Sequence, residues 1–446
     1  MYHFIGIKGT GMSALAQIMN DLGYDVQGSD KPDHFFTEKE LIAKNISIFE
    51  FNEDNIKQGM TIVQGNAFNE SNPEVKKARE LGLRIYSYQE LVGKLTKMFK
   101  TITIAGCHGK TTTTSMMSHV LNNIIGCNYL IGDGTGNASK HNKYFALEAC
   151  EWKRHFLNYT PYYAIITNIE LDHIDYYKDI DDVLDAYRTY ANSAGKMVIA
   201  WGDDPYTRFL DLNVPVFYYG LSEDNDIIAK DVEFSNEGTS FDVFVEGNYY
   251  GHFDLPLFGK HMLLNSLAVI SVCYYERIEA KDVSKYLKTF KGAKRRFAET
   301  VLDDIVTIDD YAHHPTEVKV TIKGAKHKYP DKKVIAILKT HTLSRTKEFA
   351  QEFADALNLA DKSYIMDVGV DRIEEGYDDV TYKCILEKLD NGEYINLDMV
   401  DKLLEYENTV FLFMSSKDIY VLKDLYEKAL NEKRKNQNWV ILSFSL

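Results

Sequence analysis

Short apolar runs alternate with stretches of helical spacing along the first part of the chain. Residues 2–7 read as a strand, 12–22 as a helix with apolar positions at helical intervals, and 24–28 as a second strand. Thr37-Glu38-Lys39-Glu40 has the spacing of a capping box that opens the next helix, and strands are expected near 61–64 and 84–87. A second series puts buried-looking strands at 145–149, 164–168 and 196–201. The period then changes. Residues 227–258 alternate at two, with Phe241, Val243 and Val245 ahead of Glu246-Gly247-Asn248, which predicts antiparallel hairpins. After a helix near 263–275, a third series follows Lys291-Gly292-Ala293, with strands at 305–309, 333–338, 363–366 and 410–414. Strands alternating with helices at this rhythm imply parallel, doubly wound sheets. The expected fold is α/β, with three domains in series: 1–98 Rossmann-like, 99–292 a P-loop-type mononucleotide fold with the hairpin region, and 293–446 Rossmann-like again.

The densest chemical signal lies at the start of the second series. Thr101-Ile102-Thr103-Ile104 runs into Gly106-Cys107-His108-Gly109-Lys110-Thr111-Thr112, and residues 113–121 read as a helix. Strand, glycine loop, Lys-Thr and helix form a phosphate cradle: the glycines let backbone N–H groups approach an anion, the helix N-terminus adds partial positive charge, Lys110 can reach terminal phosphates and the Thr111 hydroxyl can ligate Mg²⁺. The loop is two residues shorter than the common G-x-x-x-x-G-K-[ST], which argues against the motor and GTPase families.

Composition narrows the surroundings of that chemistry. The 446 residues carry a formal net charge of −15, which argues against a non-specific nucleic-acid surface or an anionic membrane as partner. Five scattered cysteines without C-x-x-C spacing fit reduced thiols. No run approaches 18 apolar residues and the first residues lack a signal-peptide pattern, so the expected location is cytoplasmic.

Further polar clusters follow strands. Gly6-Ile7-Lys8-Gly9-Thr10-Gly11-Met12-Ser13, with Asp30 after the next strand, is a Rossmann-type diphosphate loop in which Lys8 replaces the second glycine. NAD, FAD and a nucleotide sugar are all open on that basis, and Asp30 serves equally as a helix cap. Glu148 ends one strand and Asn168-Ile169-Glu170-Leu171-Asp172-His173 follows another, so Glu148 and His173 are expected at the crevice of Lys110. They could hold a second Mg²⁺ beside the one on Thr111, although His is an uncommon ligand for that ion. His261 and Asn265 share a helix face and suit either a base or a cap and a core amide. In the third series Arg295-Arg296-Phe297 and Asp309-Asp310-Tyr311-Ala312-His313-His314-Pro315 form a dense cluster, and Arg345 suits a substrate carboxylate.

Taken in order, GIKGTGMS, GCHGKTTT, ALEACEW, NIELDHIDYY, GKH-x-x-x-N, GAKRRF, DDYAHHPTE and HTLSRT resemble the Mur ligases of peptidoglycan synthesis over nearly the whole chain, most of all the alanine-adding members, with the murein-peptide ligases as the alternative. The resemblance implies an ATP-dependent amide ligase that joins L-alanine to the carboxylate of UDP-N-acetylmuramate, or, in the alternative, a recycled peptide to it. It implies ATP and Mg²⁺ as cofactors, small-molecule substrates as partners, and a monomer or weak homodimer. Gly6, Lys8, Gly9, Thr10, Gly11, Met12, Ser13 and Asp30 are then the UDP-sugar residues. Gly106, Cys107, His108, Gly109, Lys110, Thr111, Thr112, His261, Asn265, Arg296 and Asp310 are the ATP residues. Thr111, Glu148 and His173 hold metal, and Tyr311, His313 and Arg345 the amino acid. Lys110 and His313 are the catalytic residues. The chain departs from the family pattern at Met262 (commonly Asn), Lys339-Thr340 (commonly Gln-Pro), Thr342 (a second Arg in some relatives) and Ser415-Ser416-Lys417 (commonly Gly-Ala-Gly). The apolar tail over 439–446 is expected to pack on a partner or on its own domain. A nicotinamide oxidoreductase using the first loop, and a scaffold protein that has lost catalysis, are the competing classes.

Overall fold

The computed structural model describes residues 1–235, 237–369 and 376–444, with side chains described as far as residue 435. Three sheets are present. The first is fully parallel, in the order β3-β2-β1-β4-β5, from β1 (Tyr2–Ile5), β2 (Val26–Asp30), β3 (Ser47–Glu50), β4 (Thr61–Gln64) and β5 (Arg84–Ser87). The strand order reverses between β1 and β4. The loop after β1 therefore sits at the switch point where such sheets open a ligand crevice.

The second sheet has ten strands: β6 (Lys100–Ala105), β7 (Cys127–Leu130), β8 (Gly136–Asn137), β9 (Tyr144–Glu148), β10 (Tyr163–Ile166), β11 (Met197–Trp201), β12 (Val216–Gly220), β13 (Ile227–Ser235), β14 (Gly238–Val245) and β15 (Asn248–Leu255). Their order is β15-β14-β13-β12-β11-β10-β6-β9-β7-β8, so β6, which leads into the phosphate loop, is central. The expected hairpins are β13–β14 and β14–β15, and the latter turns at Glu246 and Gly247, both at positive φ. Strands β3, β7, β8 and β12 escaped the sequence pattern: β3, β7 and β8 have four residues or fewer, too few for a period to be read, and β12 lies inside the ten-stranded sheet.

The third sheet runs β16-β17-β21-β18-β19-β20, with β16 (Ala298–Leu302) antiparallel to β17 (Ile305–Asp310). The remaining strands, β18 (Lys333–Leu338), β19 (Lys362–Ile365), β20 (Gly392–Tyr394) and β21 (Thr409–Met414), pair in parallel.

The three sheets make two compact units. Residues 1–172 and 176–293 form the first, and residues 173–175 and 294–446 the second. One apolar core joins the first two sheets: Phe4, Ile7 and Leu15 belong to the same cluster as Leu130, Leu147 and Ile166. The helix Thr10–Asp21 explains this, because every residue from Met12 to Met19 is buried, as in a helix covered on all sides. The expected capping box at Thr37 does not form. Thr37 has helical backbone angles and its hydroxyl donates to the Lys8 carbonyl at 2.6 Å, while Glu38 accepts from the Phe35 N–H instead. Long-range pairing with the first loop has won over the local cap. Side chains of the apolar tail lie outside the described residues. Among the described residues no helix is long and apolar enough to cross a membrane.

Candidate active site

At the end of β6 the chain turns through Gly106 (φ +137°) and Gly109 (φ +85°) into the helix Lys110–Ile124. A Cβ on Gly106 would lie 2.0 Å from the Thr167 hydroxyl, so only glycine fits there. The loop is clamped from β10: Asn168 accepts from the His108 N–H at 2.9 Å and donates to the His108 carbonyl at 2.8 Å, and Thr167 donates to the same carbonyl at 2.6 Å. Burial pushes the Cys107 thiol well up, so it is neutral packing. All five cysteines are free, as their spacing predicts.

Lys110 does not stand open toward a phosphate as the sequence suggests. Its ammonium donates to the Gly106 and Cys107 carbonyls at 2.5 and 3.2 Å and pairs with Glu151 at 3.0 Å. Burial opposes that charge, and the Glu151 carboxylate more than offsets it, holding Lys110 protonated. Glu151 is a residue the sequence reading missed. Its position, three after Glu148 on the loop leaving β9, is the only sequence signal for it. The Tyr177 hydroxyl donates to the Glu151 carbonyl at 2.6 Å and fixes that loop.

Thr111 and Glu148 come together as expected, with the Thr111 hydroxyl donating to Glu148 Oε2 at 2.8 Å. The Gly132 N–H donates to the same oxygen at 3.1 Å. Glu148 ends β9, the neighbour of β6, with Ile104 opposite it in the ladder. His173 belongs to the short segment grouped with the second unit and has left-handed backbone angles (φ +53°). Thr112 is buried. Asn265 packs against the loop, since a Cβ on Gly109 would lie 2.7 Å from its Oδ1, whereas His261 is exposed one turn earlier on the helix Lys260–Tyr275. Buried Met262 faces the core beside them.

In the first loop Gly6 turns at φ +84°, and both Gly6 and Ile7 donate to the Ser29 carbonyl. Asp30 is no helix cap. Its carboxylate accepts from the Lys8 and Lys31 N–H groups at 2.7 and 2.8 Å, and burial pushes its pKa up. The Lys8 ammonium donates to the carbonyls of Lys31 and Asp33, each at 2.8 Å, and pairs with Glu38 at 2.7 Å, which makes it a strut under the loop. Gly9 is exposed and Thr10 and Gly11 half-buried, while Met12 and Ser13 turn into the core.

In the second unit, Asp310 accepts from the Phe297 and Ala312 N–H groups at 2.7 and 2.8 Å. Burial pushes it up to about 6, against the lowering effect of Arg296. Arg296 pairs with Glu317 at 3.5 Å and covers the Tyr311 ring, whose edge meets His313. Glu317 also accepts from the His313 N–H at 3.0 Å and boxes the helix Pro315–Lys328 with His314 as its cap. Arg345 is buried in the short helix Leu343–Glu348, after β18. Two departures from the family pattern meet here: Lys339 pairs with Asp418 at 2.8 Å, next to the Ser415–Lys417 turn. His341, with Lys339, holds the Asp418 carboxyl well below the usual range.

Domain models of one family match in series along the chain. The Mur ligase family catalytic domain matches residues 1–100, the Mur ligase middle domain 104–273, and the Mur ligase glutamate ligase domain 295–416. The chain belongs to the Mur ligase family. As a Mur ligase it is an ATP-dependent ligase of the peptidoglycan-building class. It is similar to the crystal structure of the UDP-N-acetylmuramate–alanine ligase of Thermotoga maritima, with 27% identity, a TM-score of 0.82 and coverage of 97% of this chain and 99% of that one. It shares its fold with a murein peptide ligase of Psychrobacter arcticus (23% identity, TM-score 0.72, coverage 96% and 98%). The same holds for a MurF ligase of Thermotoga maritima solved with ADP (18% identity, TM-score 0.66, coverage 86% and 97%).

Proposed function

We propose that this Mur ligase joins L-alanine to the carboxylate of UDP-N-acetylmuramate through an acyl phosphate, consuming ATP. The observation that carries the reading is the meeting of Thr111 and Glu148 at the phosphate loop, within a chain similar over 97% of its length to an alanine ligase. Two hard oxygen donors, one of them a carboxylate, converge beside the helix N-terminus, and such donors suit Mg²⁺. Thr111 and Glu148 would hold the ion, with His173 as the third candidate. When bound, Mg²⁺ supplies charge neutralisation where the substrate carboxylate and the γ-phosphate, both anions, must approach.

The remaining roles follow from the chain's own groups. The N–H groups of the loop Gly106 to Thr112 cradle the phosphates and Lys110 neutralises developing charge. Asn265 and His261 take the base side, and for Arg296 and Asp310 of the second unit the family resemblance implies a role toward ATP. The muramoyl carboxylate attacks the γ-phosphorus in line and ADP leaves. The amine of L-alanine then attacks the acyl carbon and phosphate leaves. Arg345 grips the alanine carboxylate and Tyr311 packs beside it, while His313, oriented by Glu317, takes the ammonium proton. The loop Gly6 to Ser13, with Lys8 and Asp30 shaping it, receives the UDP moiety. The test is ADP release from purified protein given ATP, Mg²⁺, UDP-N-acetylmuramate and L-alanine. Turnover only with a free recycled peptide, its N-terminal amine unblocked, in place of alanine would assign the murein-peptide reaction, and no turnover with either would support a non-catalytic protein.

A further inference from the structure

A single hairpin tip touches the supports of both glycine loops. Residues Ile131 to Gly136 join β7 to β8, and the tip closes on itself through Ile131 N–H to the Thr135 carbonyl (3.0 Å) and Gly134 N–H to the Ile131 carbonyl (3.3 Å). On one side it meets the helix that follows the first glycine loop. Gln17 of that helix is 1% exposed, and its amide is divided across the tip: Nε2 donates to the Gly134 carbonyl at 2.9 Å, and Oε1 accepts from the Gly136 N–H at 3.3 Å. Nε2 also reaches the hydroxyl of Ser13, at the end of the first loop, at 3.2 Å. One turn further on, Asp21 accepts from the Ala138 N–H at 3.0 Å, and Lys44 pairs with Asp21. On the other side the Gly132 N–H reaches the Glu148 oxygen that Thr111 also contacts.

Both approaches are close. A Cβ on Gly136 would lie 2.1 Å from the Ala14 carbonyl, and one on Gly132 would lie 2.1 Å from Glu148 Oε2. The tip thus packs against the helix backbone at one end and against the Glu148 carboxylate at the other. A carboxylate that must meet a cation needs its orientation set by neighbouring donors, and loss of such an outer partner typically costs about 10–100-fold in metal affinity. Gln17 pairs both a donor and an acceptor of the tip, as a neighbouring strand would.

We propose that Gln17 is a positioning residue for Glu148: by pinning the Gly132–Gly136 tip to the helix after the first glycine loop, it sets the N–H that orients the Glu148 carboxylate and ties the nucleotide-sugar loop to the cation side of the ATP site. The proposal rests on the reading of Glu148 as a metal ligand.

The test uses Mn²⁺ and ADP as probes on the full-length protein. Gln17→Met keeps length and burial but removes both polar ends. Mn²⁺ affinity of the ADP complex, read by electron paramagnetic resonance, is expected to fall about tenfold. Amide exchange at Gly132 is expected to accelerate in the ligand-free protein. Glu148→Gln is expected to weaken Mn²⁺ as well, and the double variant to bind it no more weakly than Glu148→Gln alone, since both act on one contact. Wild-type Mn²⁺ affinity in Gln17→Met, beside weakened binding in Glu148→Gln, would overturn this proposal alone. Unchanged binding in Glu148→Gln would overturn the metal reading and the proposal together. Should Gln17→Met fail to fold, Gln17→Glu carries the same comparison, because its carboxylate still accepts from Gly136 but opposes the Gly134 carbonyl.

Discussion

The Lys110 ammonium lies 3.0 Å from the Glu151 carboxylate, with Glu151 buried and Lys110 half-buried. With the Gly106 and Cys107 carbonyls, Glu151 engages all three N–H donors of the lysine. Lys8 repeats the arrangement in the first loop, with two carbonyls and Glu38. Each glycine loop thus carries a lysine held by two backbone carbonyls and one carboxylate, the carbonyls belonging to the loop itself for Lys110 and to the segment after β2 for Lys8. A phosphate arriving at the second loop has to compete with Glu151 for Lys110.

Lys110→Ala is expected to lower kcat by roughly 10² or more, as removal of a preorganised charge does. Because the buried Glu151 carboxylate then loses the Lys110 charge beside it, stability is also expected to fall. The double variant Lys110→Ala/Glu151→Gln should recover most of the melting temperature and none of the activity. An unaltered melting temperature in the single variant would refute the pair.

Glu148→Gln keeps shape and removes charge where Thr111 and Gly132 converge. The expected result is a higher Mg²⁺ requirement and a kcat lower by on the order of 10², with UDP-N-acetylmuramate binding unaffected. A Mg²⁺ titration that superimposes on wild type would remove Glu148 from the metal site.

Arg345→Lys replaces a planar fork with a point charge at a buried position. KM for L-alanine is expected to rise about tenfold, the size of one lost charge-assisted hydrogen bond, with KM for ATP nearly unchanged. A rise in KM for ATP instead would place Arg345 in the nucleotide site.

Asp310 has a folded-state pKa of about 6 against an ordinary 3.8, so the folded protein binds its proton more tightly than the unfolded chain. That contribution to stability is complete below about pH 4 and is lost as pH rises through 6, with an upper bound of about 3 kcal/mol. The melting temperature of Asp310→Asn relative to wild type is therefore expected to be higher at pH 8 than at pH 5. A difference independent of pH would show that Asp310 is ionised throughout.

Much of this protein was legible in its sequence, and for local reasons. Glycine followed by Lys-Thr after a β-prone run has few other uses, so the phosphate loop and its helix stand where the pattern put them. Strand periodicity located Thr61–Gln64, Arg84–Ser87 and Lys333–Leu338 to the residue: the first and third are paired on both sides, and the second is an edge strand bounded by Gly82 and by the capping box at Ser87. Glu148 was legible as an acid at a strand end, and strand order then set it beside Thr111. The partners of the cations were not. Glu151, Glu38 and Glu317 look in sequence like ordinary solvated acids, and only packing makes them counter-ions, Glu151 buried and the other two half-buried. Thr37 has the local spacing of a cap, yet its hydroxyl goes to Lys8, 29 residues away, because the tertiary contact offered a better acceptor. The shared core of the first two sheets, and the Gln17 contact across it, depend on a helix buried on every side. Sequence periodicity reports that a residue is buried and on which face, while the identity of the group that meets it is set only when distant segments pack.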